Sequence, residues 1–312
     1  MNEVLQIETS ASVGGCPWGI GTEVSNDLTP RQMMEKAGVD WTVEKVPTFA
    51  HHNGNQIPTG KEALVRSSDS KVLTQVGGNW EPCQNETAFD FFNEYCLAGD
   101  MEMNTAGSLK DGKMVWALAK IKESFDVLPG DQIDSYLLFS NPHEYGKSID
   151  VRFTPIRVTC MNTLALALNT KSQTATKVNH RRAFDPEQVK ITLGLAHEKF
   201  DKFKEVAQLL SRKQFKADEL IAYYNTLYPA KGEVKTADDL AMNARKAYEA
   251  LESQPGAQYG RGTWWQAFNS LTYIADHEVG RSADSRMTSA WYGANQTRKQ
   301  RAIELAVDMA VA

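Results

Sequence analysis

The sequence predicts an α+β protein, with a mostly antiparallel sheet and flanking helices in its N-terminal half and an all-helical C-terminal half. Two observations support this. Up to about residue 170, short runs of alternating or β-branched residues are separated by turn residues, as in strands. From about residue 185, apolar residues recur every three or four positions, as in amphipathic helices. We therefore expect a sheet domain over 1–170, a basic linker or arm over 171–184 and a helical domain over 185–312.

The first elements of the N-terminal half follow from turn and capping residues. Thr29 is suited to cap a short helix, Pro30 to begin it and Gly38 to end it. Three strands are then expected, over residues 41–50, 62–66 and 71–77. The segment SSDS forms a tight turn between the last two of these strands.

A second helix and further strands complete the predicted sheet domain. Asn85 is placed to cap the helix ETAFDFFNEYCLA, and Gly99 to end it. The dipeptide Asp111-Gly112 tolerates positive φ and predicts a two-residue hairpin loop. The segments SYLLFSN and KSIDVRFTPIRVTC add strands, with Pro155 interrupting the ladder of the last one. These elements predict one sheet of five or more strands.

The C-terminal half begins with a long helix capped by Asp185. Its apolar positions have strict 4,3 spacing: Val189, Leu193, Ala196, Phe200, Phe203, Ala207 and Leu210. Such a seam is typical of coiled coils. Two alternatives stay open: an intermolecular coil that makes a homo-oligomer, or a long helix packed on its own domain. Four more helices are expected, at ADELIAYYNTLY, TADDLAMNARKAYEAL, GTWWQAFNSLTYIADH and TRKQRAIELAVDMA.

Composition places the chain among ordinary globular proteins. It has 312 residues, 42% hydrophobic and 23% charged, enough for about two domains. No apolar run approaches the roughly 18 residues of a membrane span, and the N-terminus does not have the pattern of a secretory signal, so we expect a cytoplasmic protein. Four cysteines without CxxC spacing predict reduced thiols rather than disulfides or a zinc site.

The sequence contains no motif that predicts catalysis, and we expect no cofactor and no metal. The segment GNQIPTGKE resembles a phosphate-binding loop, but its glycines are one residue too far apart and Glu62 stands where Ser or Thr is required. Adjacent His51 and His52 would face opposite sides of a strand. A metal-dependent nuclease is the alternative, and it would need carboxylates to converge on one point. The candidates are Asp69, Asp134 and Asp150.

Several motifs occur in a characteristic order: WGIGTEV, VLTQVGGNWEPCQNETAFDFF, TAGSLKDGKMVWALAKI, VRFTPIRVTCMNTLALAL, GTWWQAFNSLTYIADHEVGRSADSR and TRKQRAIELA. In order and spacing they are similar to a family of phage- and plasmid-like proteins, domain of unknown function 932, over nearly the whole chain. The resemblance implies a mobile-element setting and little about chemistry. The element order of the front half also resembles phage single-strand annealing proteins, which are sheets backed by helices and assembled into rings.

Basic and aromatic residues provide candidates for nucleic-acid contact. Arg152 and Arg157 would lie near the N-terminus of a short helix, LALALN, where they could complete a phosphate site. The alternative is that both arginines pair with carboxylates inside the fold. The basic and polar candidates are Lys147, Arg152, Arg157, Asn162, Lys177, His180, Arg181 and Arg182. Trp80 and Tyr145 are the candidates for base stacking because they lie beside turn residues.

These observations predict a phage or plasmid protein that binds single-stranded nucleic acid as a homo-oligomer, in recombination or strand annealing. The net charge of −5 opposes this prediction, because nucleic-acid-binding proteins usually have a basic surface. Local clustering of positive charge can still create such a surface on an acidic protein. Besides the nuclease, a structural or inhibitory phage protein acting through protein contacts is the other alternative.

Overall fold

The computed structural model describes residues 10–13, 22–164, 175–178, 180 and 200–312. The fold is α+β, which confirms the predicted class, and no strand in the described part of the chain lies beyond Val178. The strands are β1 (Ser10–Val13), β2 (Thr22–Val24), β3 (Val43–His52), β4 (Asn55–Arg66), β5 (Val72–Val76), β6 (Met101–Leu109), β7 (Met114–Asp126), β8 (Gln132–Pro142), β9 (Ile149–Arg157), β10 (Asn162–Thr163) and β11 (Ala175–Val178).

The C-terminal half is helical, as the spacing of its apolar residues predicts. The helices of the chain are α1 (Pro30–Lys36), α2 (Asn85–Ala98), α3 (described over residues 200–212), α4 (Ala217–Leu227), α5 (Met242–Ser253), α6 (Trp264–His277), α7 (Ala283–Tyr292) and α8 (Ala294–Val311). None of these described helices combines the length and the apolar character needed to cross a membrane.

The strands form two sheets where the sequence predicts one. The larger sheet has the order β10-β9-β8-β7-β6-β1-β2, with β11 also pairing with β9. The smaller sheet has the order β3-β4-β5. The strand expected over 41–50 is shifted by two residues, and the strand expected over 62–66 begins at Asn55 and is longer than predicted. The two pair with each other across a turn at Asn53 and Gly54, whose φ values are +48° and +78°. This hairpin recruits β5 as its third strand and so forms a sheet of its own.

The chain divides into two compact units, neither of which is a continuous segment. The first unit comprises Met1–Lys122, Leu137–Phe153 and Gln173–Leu193, and the second comprises Glu123–Tyr136, Thr154–Ser172 and Gly194–Ala312. Most of the predicted linker, 171–184, lies outside the described residues, so the predicted domain boundary stays a prediction.

Among the predicted helix signals, those at Thr29 and Gly99 are confirmed and that at Asn85 is wrong. The Thr29 hydroxyl accepts from the Gln32 amide and the Gln32 side chain accepts from the Thr29 amide, which makes a capping box for α1. Gly99 ends α2 at a φ of +74°, which glycine adopts without strain. Asn85 does not cap α2: the cap is Gln84, and the Asn85 side chain is buried in contacts with other segments.

Two predictions about strand ends also need correction. The chain reverses over residues 110–113, with positive φ at Lys110, Asp111 and Gly112, instead of through a two-residue loop. Pro155 does not interrupt β9, which continues to Arg157. Proline cannot donate a hydrogen bond, but the Pro155 carbonyl accepts from the Leu164 amide at 2.8 Å, so the ladder continues past it.

The core of the second unit is built around α6, of whose fourteen residues twelve are buried. Among its buried polar groups, Asp276 accepts from the Thr163 amide at 2.6 Å and from the Lys299 ammonium at 2.6 Å. Lys299 and Asp276 are 2% and 0% exposed. This ion pair connects α8 with α6. Removing either partner would leave the other charge buried without compensation.

The described part of the 4,3 seam is packed inside its own chain. Phe200, Phe203, Ala207 and Leu210 are all 4% exposed or less. The Phe200 ring lies 5.0 Å from that of Phe125, and the Phe203 ring lies 6.4 Å from that of Trp265, all within the second unit. Of the two alternatives that the seam left open, this is the packing expected of a helix on its own domain.

We expect Phe203→Ala to lower the free energy of unfolding by about 3–5 kcal/mol, because it removes a fully packed ring and leaves a cavity. Urea denaturation measures this loss, and Asp201→Ala, on the exposed face of the same helix, should change stability by less than about 0.5 kcal/mol. A Phe203→Ala protein that keeps its stability but has a lower mass in light scattering would instead indicate an intermolecular seam.

Candidate nucleic-acid interface

One wall of the candidate site is the turn between β5 and α2. The turn closes through a hydrogen bond from the Trp80 amide to the Gly77 carbonyl, 3.0 Å. The Lys45 ammonium holds it in place by donating to the Gly78 carbonyl at 3.0 Å and pairing with Glu62 and Glu81, each at 3.0 Å. Hydrogen bonds to Glu62 and then Glu81 raise the pKa of Lys45, so it stays charged.

The other wall is the loop between β8 and β9, residues 143–148. Gly146 adopts a φ of +79° at its tip, and the Lys147 amide bonds the Glu144 carbonyl at 3.3 Å. The two walls enclose a cleft of about 720 Å³ within the first unit. We call it the Tyr145 cleft; it is lined by Lys61, Gln75, Val76, Gly77, Gly78, Asn79, Trp80, Tyr145, Gly146, Lys147 and Ser148.

The lining of the Tyr145 cleft has positive charge and no negative charge. Lys61 and Lys147 are both exposed, and within the described part of the chain neither ammonium pairs with a carboxylate. No aspartate or glutamate contributes to the lining. Gln75, Asn79 and Ser148 add uncharged hydrogen-bonding groups. The cleft is therefore suited to an anionic ligand that also offers hydrogen-bonding groups.

The two aromatic residues of the cleft differ in exposure. Tyr145 is 61% exposed, so its ring is open to a stacking partner. Trp80 is 7% exposed, and its ring stacks on that of His180 with the centroids 4.2 Å apart. His180 is 2% exposed; its Nδ1 donates to the Glu81 carbonyl at 3.2 Å and its carbonyl accepts from the Glu81 amide at 2.9 Å. Trp80 and His180 therefore support the cleft from below, whereas Tyr145 offers the free ring.

Both walls adjoin one buried cluster of polar side chains. Asn85 donates to the Val39 and Trp41 carbonyls at 2.9 and 3.2 Å. Its Oδ1 accepts from Asn141 at 3.2 Å and from Nε2 of His143 at 2.9 Å. We call Asn85, Asn141 and His143 the polar node.

The Asn141 carboxamide also donates to the Cys83 carbonyl at 2.8 Å. The node therefore joins residues 83–85, which follow the turn at 77–80 (the Trp80 turn), to residues 141–143, where the loop at 143–148 (the Tyr145 loop) begins.

Burial keeps the histidines of this region neutral. Desolvation, then the neighbouring His180, lowers the pKa of His143 to about 3. Desolvation also lowers the pKa of His180. A neutral His143 can donate from Nε2 to the Asn85 oxygen, which is an acceptor only, so the hydrogen bond fixes the proton on that nitrogen.

The two arginines predicted to contact phosphate are paired with carboxylates, the alternative that the sequence left open. Arg152 binds Asp150 through Nε and Nη2 at 2.8 and 2.6 Å. Arg157 is 1% exposed and binds Asp131 at 2.6 and 3.0 Å. The Trp265 indole also donates to Asp131 at 2.8 Å. This pair lies in the interior of the second unit, so Arg157 has no access to solvent.

Of the other predicted contact residues, Asn162 is also fully buried. It donates to the Thr272 hydroxyl at 3.0 Å within the second unit. Lys177 belongs to β11, but its side chain lies outside the described residues, as do Arg181, Arg182 and most of the predicted LALALN helix. The structure thus brings Trp80, Tyr145 and Lys147 together with His180 and adds Lys61, which the sequence interpretation missed.

The residues considered for catalysis are engaged in other contacts. Asp69 pairs with Arg66 at 2.7 Å, and Asp150 with Arg152. Asp134 is 3% exposed and accepts from Gln132 at 2.7 Å. Among the described residues, no group of three or more histidine, cysteine, aspartate or glutamate side chains is placed to hold a metal ion.

The described cysteines are free thiols. Burial raises the pKa of Cys83, Cys96 and Cys160 to about 11, which keeps them protonated. His277 donates to the carbonyl of Cys160, at 3.0 Å. That contact does not activate a nucleophile, because the histidine bonds the backbone oxygen.

The family described as Domain of unknown function (DUF932) matches residues 72–301, well over half of the chain. The matched segment contains both loops that wall the Tyr145 cleft and the whole polar node, while Lys61 precedes it. No curated protein and no solved structure matches the chain.

The lowered pKa of His143 predicts that the stability of the fold decreases as the pH is lowered. Between its unfolded pKa of about 6.5 and its folded pKa of about 3, only the unfolded state binds a proton at this residue, so acid favours unfolding. From pH 7.5 to 5 we expect a loss of about 2 kcal/mol from this group, measured by urea denaturation. His143→Gln, which keeps a donor but cannot titrate, should lack that part of the loss. Identical pH dependence in the two proteins would contradict the assignment.

Proposed function

Because the chain belongs to the DUF932 family, whose description gives no function, we propose from the site itself that it binds single-stranded nucleic acid in the Tyr145 cleft. The observation that supports this most strongly is the exposed Tyr145 ring in a cleft that also contains Lys61 and Lys147, whose ammonium groups pair with no carboxylate of the described residues.

This arrangement fits the two chemical features of a single strand. Its phosphates are anionic, and Lys61 and Lys147 can neutralise them without first breaking an ion pair. Its bases are not paired, so each offers a π-face that can stack on an exposed ring such as Tyr145. Amides and hydroxyls of the lining can bond sugar and base edges. A duplex hides its base faces and would leave the Tyr145 ring without a stacking partner.

The proposed contact residues are a revised form of the set predicted from the sequence. Tyr145 and Lys147 contact the strand directly, Lys61 joins them, and Trp80 with His180 forms the floor. Lys177, Arg181 and Arg182 remain proposals for an extension of the basic track. The ion pairs of Arg152 and Arg157 indicate a role in the fold for both arginines.

The proposal extends to a phage or plasmid setting and to strand annealing by a homo-oligomer. The motif order of the sequence supports the setting. Annealing is compatible with the site because contacts to phosphates and to one stacked base leave most base edges free to pair. The seam helix gives no support for the oligomer, since its described residues are buried in their own unit.

We expect the affinity for an oligothymidylate strand to fall with salt, and Lys61→Ala or Lys147→Ala to flatten that dependence by about 0.7 in the log–log slope, for the one phosphate each neutralises. Tyr145→Ala should weaken binding by about 1–3 kcal/mol for one stacked base without changing the slope. Fluorescence anisotropy across a salt series measures both effects.

Lys36→Ala is the matched control, because Lys36 is exposed in the same unit but does not line the cleft. It should leave both affinity and slope unchanged. No binding to a single strand at low salt, or equal effects of Lys36 and the cleft lysines, would refute the proposal.

A further inference from the structure

The hairpin formed by β3 and β4 extends beyond the sheet to which it belongs. Strand β5 pairs only with residues 62–65 of β4, so in the described part of the chain the hairpin beyond the Pro47–Glu62 pair is a ribbon of two strands. We call residues 46–61 the arm. All of its residues are exposed except Thr48, which is half-buried. Its base meets the Tyr145 cleft, because Lys61 belongs to both.

The arm has defined internal contacts. Its strands keep cross-strand register from Phe49 opposite Pro58 to His52 opposite Asn55, and the positive φ values of Asn53 and Gly54 form the turn. Thr48 bonds both the Thr59 hydroxyl and the Lys61 carbonyl. These contacts make the arm a preformed ribbon that can meet a ligand without folding first.

The edges of the arm are poorly suited to pairing with another strand. Pro47 and Pro58 have no amide hydrogen to donate, and the register shifts between Pro47 and Phe49. These features disfavour strand addition from a second copy of the chain. They leave the side chains of the arm as its binding groups.

The arm, like the lining of the cleft, has no carboxylate. Its sixteen residues include Lys61, His51 and His52 but no aspartate or glutamate, in a chain whose net charge is −5. Asn, Gln and Thr side chains supply the remaining polar groups. A surface without carboxylates does not repel a polyanion. Lys61 belongs to both the arm and the cleft, so the two surfaces are continuous.

Exposed aromatic rings also connect the arm with the cleft. Among the side chains that the structure describes, the exposed aromatic residues are Phe49, at 47%, and Tyr145, at 61%. One lies on the arm and the other at the cleft. Both of these rings are available to stack on bases.

We propose that the arm is a second contact surface for the strand held in the Tyr145 cleft, with Phe49 as its stacking ring. This inference rests on the proposed function. Each strand of the arm, about seven residues at about 3.3 Å, is about 23 Å long. At the duplex rise of about 3.4 Å per nucleotide, the arm runs along at most about six or seven nucleotides, and along fewer of an extended single strand. Strands too short to leave the cleft do not reach it.

The test compares binding of oligothymidylates of about 6 and about 20 nucleotides by fluorescence anisotropy. Phe49→Ala should weaken binding of the longer strand by at least about 5-fold and leave the shorter strand unaffected, since one stacked base is lost. A second variant, with residues 48–59 replaced by Asn-Gly, should reduce the advantage of the longer strand further. Tyr145→Ala should weaken binding of both lengths.

Leu97→Ala is the control, because Leu97 is 88% exposed on α2 of the same unit and distant in sequence from the arm. It should bind both lengths like the unmodified protein. If Phe49→Ala and the shortened arm also bind both lengths normally, while Tyr145→Ala does not, the arm proposal is overturned and the cleft proposal stands. If the unmodified protein binds neither length, both are overturned.

Discussion

The Asn85 carboxamide is 1% exposed and makes four hydrogen bonds, which connect the chain before β3, the start of α2, the end of β8 and the loop that follows β8. A buried amide that loses a partner costs roughly 1–3 kcal/mol, so each of these hydrogen bonds favours the arrangement in which all four segments meet. The Trp80 turn ends at this node and the Tyr145 loop begins at it. The spacing of the cleft walls therefore depends on Asn85 and not on the exposed residues that line the cleft.

Local chemistry explains which signals the sequence revealed. Thr29 and Gly99 act on atoms within a few residues of themselves, so capping rules identified them correctly. Asn85 also stands beside a helix start, but its partners Asn141 and His143 are 56 and 58 residues away. A single sequence does not reveal which residues so far apart in the chain come into contact. An asparagine there is equally suited to cap a helix or to join distant segments, and only the fold distinguishes them.

Strand length and charge pairing were harder to predict from the sequence, for different reasons. Alternation located β3 and β4, but the full length of β4 depends on Asn53-Gly54, a turn signal that the sequence contains and that could have identified the arm. Arg157 could not be assigned in this way, because Asp131 lies 26 residues earlier and its burial is a property of the packed unit. The exposure of Tyr145 and Lys147 was easier to predict, since a loop with Gly146 at its tip lies on the surface.

The acidic net charge is compatible with a cationic cleft because the carboxylates near it are already paired. Lys45 pairs with both Glu62 and Glu81, and Lys110 pairs with Glu144 at 3.2 Å. Asp150, in the strand after the loop, is held by Arg152. Each pairing reduces the negative field at the cleft and uses a cation that does not line it. Lys61 and Lys147 are left to set the local potential, because at physiological salt the field of more distant acids decays over about 8 Å. The sign of the surface that a ligand meets is thus decided by which charges are paired nearby, and net charge alone does not report it.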